Sequence, residues 1–159
     1  MPITEQGALA RLATMFDVRP EVVSRTAAAL KSNHLLGSAG RGGQHDRLAR
    51  HYLDPLELVT LALALSLAPM PLPQIANRVW GYLTLRHPES SATFGDELVD
   101  RLVNEEVTDF VVGTSADTLY AQIGLDTFGT RVTAAVRTAT VFGPEAVKAL
   151  VAIITESEG

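Results

Sequence analysis

Residues 56–68, LELVTLALALSLA, are apolar on nearly every side, and this run constrains the fold more than any other stretch of the chain. A helix made from them has no face suited to water, so it must be enclosed, either by the rest of the chain or by a bilayer. The run is 13 residues long, well short of the roughly 20 needed to cross a membrane. It therefore reads as the central helix of a folded core. Its start is marked by Asp54 as a side-chain acceptor, Pro55 at the first helical position and Glu57 at the third, the pattern of a capping box. Pro69, Pro71 and Pro73 are expected to end it, because proline cannot donate the helical hydrogen bond.

A core helix of this kind needs partners, and the flanking sequence supplies them. Leu9, Leu12, Ala13 and Phe16 recur at helical spacing after a polar start, which predicts a first helix from about Thr4 to Phe16. Pro20, followed by Val22, Val23, Ala27 and Leu30, predicts a second helix to about Asn33. The stretch GSAGRGGQHD is too rich in glycine for an element interior and reads as a loop. After the central helix come a helix from about Gln74 to Leu85 and another from about Asp96 to Glu105, joined by HPESSATFG. From Val107 the β-branched runs VTDFVVG, DTLYAQIGLDT and TRVTAAVRTATVF predict a two- or three-stranded antiparallel sheet. Gly143 and Pro144 introduce a last helix with Val147, Leu150, Val151 and Ile154 on one face. The expected fold class is α+β and mainly helical, with a head over residues 1–51 and a body over residues 52–159.

Composition narrows the functional classes. With 47% hydrophobic and 19% charged residues the chain is globular, and cysteine is absent, which excludes disulfides and thiolate metal sites. The segment MPITEQGALARLATMF lacks the basic start and unbroken apolar run of a signal peptide, so a cytoplasmic protein is expected. The net charge of −5 disfavours a polyanionic partner. Its distribution points the other way. Residues 1–51 hold seven Lys and Arg against four Asp and Glu, and the acidic excess falls entirely in the remainder, as in a basic head on an acidic body.

Residues 12–25 read LATMFDVRPEVVSR. Two helices crossing steeply need a small residue at the crossing and apolar anchors on each side of the turn; Ala13 suits the first role, and Val18 and Val23 the second. The segment resembles the helix-turn-helix of bacterial and phage repressors, in which a Leu-Ala pair is followed after a short turn by Val and then by a string such as Val-Ser-Arg. Here those residues are Leu12 and Ala13, Val18, and Val23, Ser24 and Arg25. Asp17 stands where the family usually has glycine, and Thr26 where it usually has an apolar residue. The resemblance implies that Arg19, Glu21, Ser24, Arg25 and Ala28 face the major groove. Arginine there can hold a guanine edge or a phosphate, and serine can bond to either. The loop of residues 37–43 lies where a winged form of the motif places its wing. Arg41 in that loop would then reach phosphate or the minor groove, and Arg47 and Arg50 after it give a basic segment that helps attract DNA. Helix, turn, helix and GRGG before an apolar helix also resemble small prophage-type proteins.

The leading expectation is a sequence-specific DNA-binding transcriptional regulator acting as a homodimer, since two half-sites multiply the limited affinity of one short helix. The sheet between Val107 and Phe142 is the candidate for pairing, because a strand edge can be capped by its symmetry mate. Two other readings stay open: a phage packaging protein that touches DNA and builds a ring, and a protein-interaction module without DNA affinity. Neither an enzyme nor a cofactor is expected, since phosphate loop, nucleophile elbow and HExxH patterns are all absent from the sequence. In HDRLARH the histidines His45 and His51 are six positions apart, which does not suit zinc on one helix. Trp80 and Tyr82, in an apolar helix, are read as core or interface residues.

Overall fold

A computed structural model of the chain describes residues 4–36, 53–115, 118–129 and 137–158. It is α+β and mainly helical, with six helices and a four-stranded antiparallel sheet among the described residues. The chain divides into two compact units, Met1–Asn77 with Ala152–Gly159, and Arg78–Val151. The boundary expected after residue 51 falls outside the described residues.

In the first unit, α1 (Glu5–Phe16), α2 (Pro20–Ser32) and α3 (Pro55–Ser66) pack on one another. Thr4 caps α1 by accepting a hydrogen bond from the Gly7 amide at 3.1 Å, and Asp54 and Glu57 form the expected capping box on α3. The run after Pro55 is enclosed as its composition requires, with every residue from Leu58 to Leu65 buried. Its one polar member, Thr60, donates its hydroxyl to the Leu56 carbonyl at 2.7 Å, which removes the penalty of burying an unpaired oxygen.

Helix α4 (Leu72–Leu83) begins and ends two residues earlier than the expected Gln74 and Leu85. Pro73 does not terminate α3 but sits in the first turn of α4, where a missing N–H costs nothing. Beyond Leu83 the chain turns, with the Thr84 amide still bonded to the Trp80 carbonyl at 3.1 Å, and Arg86 then bridges Thr93. Helix α5 (Phe94–Val103) also starts two residues early, because Thr93 rather than an acid is its cap, accepting from the Asp96 amide at 3.3 Å.

The sheet has the order β3-β2-β1-β4, built from β1 (Phe110–Ser115), β2 (Thr118–Ile123), β3 (Asp126–Gly129) and β4 (Thr138–Phe142). It exceeds the expected two or three strands because DTLYAQIGLDT folds back on itself. Ile123 pairs with Asp126 across the two-residue turn Gly124-Leu125, with Gly124 at φ 58°, as the first central position of a type II′ hairpin demands. Phe110, Val112, Ala121, Ile123, Phe128 and Phe142 share one face, and all are buried. Phe94 meets Phe128 edge-on at 5.6 Å, and Phe110 stacks on Phe142 at 4.5 Å. Arg101 on α5 bonds Glu97 at 2.9 Å and Asp126 at 2.6 Å, and its guanidinium holds the Asp126 carboxyl below the usual range. The chain closes with α6 (Pro144–Glu158), introduced by Gly143 and Pro144 as expected.

Three helices end without glycine in the left-handed residue that reverses the chain: Asp17, His34 and Glu105, at φ 51°, 62° and 55°. After α5 the Glu106 amide reaches the Arg101 carbonyl at 2.8 Å and the Glu105 amide reaches Leu102 at 3.1 Å, the paired bonds of a Schellman motif. A side chain in that conformation costs about 1–2 kcal/mol, partly offset by the greater backbone freedom that glycine loses on folding. Glu105→Gly is therefore expected to stabilise the protein by about 0.5–1 kcal/mol and raise Tm by about 1–4 °C. A thermal melt beside Glu105→Ala checks this; an equal rise for alanine would refute the conformational cause.

Candidate nucleic-acid interface

The α1–α2 pair is built on a turn of three residues, Asp17, Val18 and Arg19. Asp17 adopts φ 51° and ψ 49°, so the position usually given to glycine is held by a residue whose short polar side chain tolerates the left-handed region. Its amide bonds the Thr14 carbonyl at 3.2 Å and the Val18 amide bonds the Ala13 carbonyl at 3.0 Å, closing α1 and aiming the chain into α2. Arg19 is the N-cap of α2, and Pro20 opens the helix.

Burial sorts the two helices into faces. On α1 the buried residues are Ala8, Leu12 and Ala13; Leu9 and Phe16, expected in the same stripe, are only half-buried, and Ala8 takes the inner position. On α2 they are Val23, Thr26, Ala27 and Leu30, a stripe at spacings of three, four and seven. Thr26 is buried despite its hydroxyl, which donates to the Val22 carbonyl at 2.8 Å. With its oxygen turned back on its own helix, the side chain presents its methyl group to the core.

Arg19, Glu21, Ser24, Arg25 and Ala28 are all exposed. From Glu21 onward they lie at helical spacing on the side of α2 opposite its buried stripe, and Ser32, not singled out from the sequence, continues the row. Arg19 makes no side-chain cap bond, and among the described residues neither Arg19 nor Arg25 is held in an ion pair. Other cations of this unit are engaged: Lys31 with Glu5 at 2.7 Å and Arg11 with Glu156 at 2.6 Å. The Lys31–Glu5 pair joins residues 26 apart in sequence. No spacing pattern could have revealed it. The result is a row in which two unengaged guanidiniums flank the Glu21 carboxylate and Ser24, with the small side chains of Ala28 and Ser32 beyond them. Such a row can donate hydrogen bonds without bulk that would keep it from a groove.

The remaining expected contacts, Arg41, Arg47 and Arg50, together with the glycine-rich loop and the His45 and His51 segment, lie outside the described residues. Among the described residues no group of three His, Asp or Glu could hold a metal ion, and no helix is long and apolar enough to cross a membrane. Trp80 and Tyr82 part company. Tyr82 is buried, with its phenol pushed above the ordinary value by loss of water, whereas Trp80 is 59% exposed. Two positions on a helix differ by about 200° around its axis, so membership of one apolar helix did not place both inside. Comparison of the chain with protein-family models, with curated proteins and with solved structures finds no match in any of the three.

Proposed function

We propose that this chain is a sequence-specific DNA-binding transcriptional regulator of the bacterial or phage repressor kind, acting in the cytoplasm as a dimer and reading the major groove with α2. The observation that carries the reading is the exposure of Arg19, Glu21, Ser24, Arg25 and Ala28 together, over a helix anchored by Val23, Ala27 and Leu30. In this reading Arg25 and Ser24 contact base edges, Arg19 contacts phosphate at the entrance of the helix, and Arg41, Arg47 and Arg50 add backbone contacts. The small side chain of Ala28 lets the helix lie close to the duplex.

Binding of the purified chain to a pool of duplex DNA, followed by fluorescence polarisation at ~50 and ~200 mM salt, tests it. The wild type is expected to bind and to weaken steeply with salt. Arg19→Ala with Arg25→Ala is expected to lose roughly tenfold to a hundredfold in affinity and to flatten the salt slope. Absence of binding at the lower salt would overturn the reading. The net charge of −5 favours a second one, a protein-interaction module; that module would keep its partner binding when both arginines are removed.

A further inference from the structure

The two edges of the sheet differ in how they are finished. At β3 the Gly129 amide donates outward to the Arg86 carbonyl at 2.9 Å, and Asp126 is tied to Arg101 at 2.6 Å, so that edge is occupied. At β4 the sequence TATVF has neither a charged residue nor a proline, the devices that usually guard an edge. Thr138, Ala139 and Val141 are exposed, Val141 at 63%. Among the described residues, β1 is the only strand paired with β4.

From these observations we infer that β4 is the subunit interface: two copies of this chain pair antiparallel along β4, about a two-fold axis through Thr140, into one continuous sheet. A two-fold axis normal to the sheet keeps every residue on the same face in both copies, so the strand must centre on a residue and not between two. Centring on Thr140 sets Ala139 of each copy opposite Val141 of the other, which covers the two exposed apolar side chains. It also sets exposed Arg137, whose guanidinium lies over the Tyr120 ring of its own chain at 5.5 Å, opposite Gly143 of the second copy. Centring on Ala139 would instead set Val141 against the charge of Arg137, and centring on Val141 would leave Ala139 against a glycine. This inference does not rest on the DNA-binding reading, because every readout below is made without DNA.

Light scattering of the full chain between ~10 and ~200 μM is expected to show a mass moving from that of one chain to that of two. Val141→Lys, at an exposed position, is expected to keep the circular dichroism of the wild type and remain a single chain at the highest concentration. Register is read by cysteine substitution, since the chain has no cysteine of its own. Thr140→Cys residues face each other across a strand pair and are expected to form an intersubunit disulfide on mild oxidation. Val141→Cys residues, offset by two positions, are more than about 7 Å apart and are not. A single-chain mass throughout, an assembly larger than two chains, a folded Val141→Lys dimer, or equal cross-linking at the two positions would each overturn the inference.

Discussion

Phe110→Ala is expected to destabilise the protein by about 3–5 kcal/mol, the range for truncating a fully buried aromatic ring. Phe110 is 1% exposed; its ring lies nearly parallel to that of Phe142, with centroids 4.5 Å apart, and 6.3 Å from that of Phe94. The ring is thus shared between β1, β4 and α5. Removing it leaves a void bounded by elements that are hydrogen-bonded to other neighbours and cannot all move inward. Loss of the stacked pair adds to the loss of buried area. At about 2–4 °C per kcal/mol the melting temperature should fall by roughly 6–20 °C. Phe110→Leu, which keeps most of the volume, is expected to cost less than half as much. Urea unfolding followed by circular dichroism measures both, and a loss under about 1 kcal/mol for the alanine variant would mean that the ring does not fill this core.

The second large effect is one that strand propensity alone gets wrong in sign. Gly113 lies in the middle of β1, where valine would ordinarily improve a strand by up to about 1 kcal/mol. A side chain there has no room: a Cβ would come within 2.5 Å of the Thr138 carbonyl oxygen and 2.6 Å of the Tyr120 hydroxyl. The first of these atoms is backbone, held by the pairing of β1 with β4, so it cannot turn aside as a side chain would. Gly113→Val is expected to destabilise by about 3 kcal/mol, at the upper end of the usual cost of overpacking. Shortening the other neighbour separates the causes. In a Tyr120→Ala background, Gly113→Val should still carry most of its penalty, since the Thr138 carbonyl remains. A penalty that vanished there would place the conflict with the ring alone.

Much of the architecture was legible in the residues because the governing interactions are local. The capping box at Asp54 and Glu57 joins residues three apart, Pro20 sets its own backbone angle, and the stripe Val23, Ala27, Leu30 follows from helical geometry alone. Opposite that stripe, the outward positions of α2 were equally readable, and Arg19, Glu21, Ser24, Arg25 and Ala28 are exposed as expected. Even Asp17 was legible as a residue able to turn left-handed.

What the residues could not decide was every choice that depends on a distant neighbour. Leu9 and Ala8 compete for one inner position on α1, and packing against α2 and α3 selects the smaller. Trp80 is more hydrophobic than many buried residues yet stands in solvent, because Ile75, Ala76, Val79 and Leu83 already fill the inner side of α4. Likewise Lys31 is drawn to Glu5, which leaves Arg19 and Arg25 as the unengaged cations of the described α1–α2 pair. The fourth strand, and the edge that β4 forms among the described residues, depend on which strands find each other across intervening chain. Sequence by itself determined where helices begin to within about a turn and which side of α2 faces outward, since hydrogen bonding and side-chain period act within a few residues. Only the tertiary structure decided which exposed groups are left unengaged, because burial and ion pairing are settled by whichever neighbour the fold brings close, at any distance along the chain.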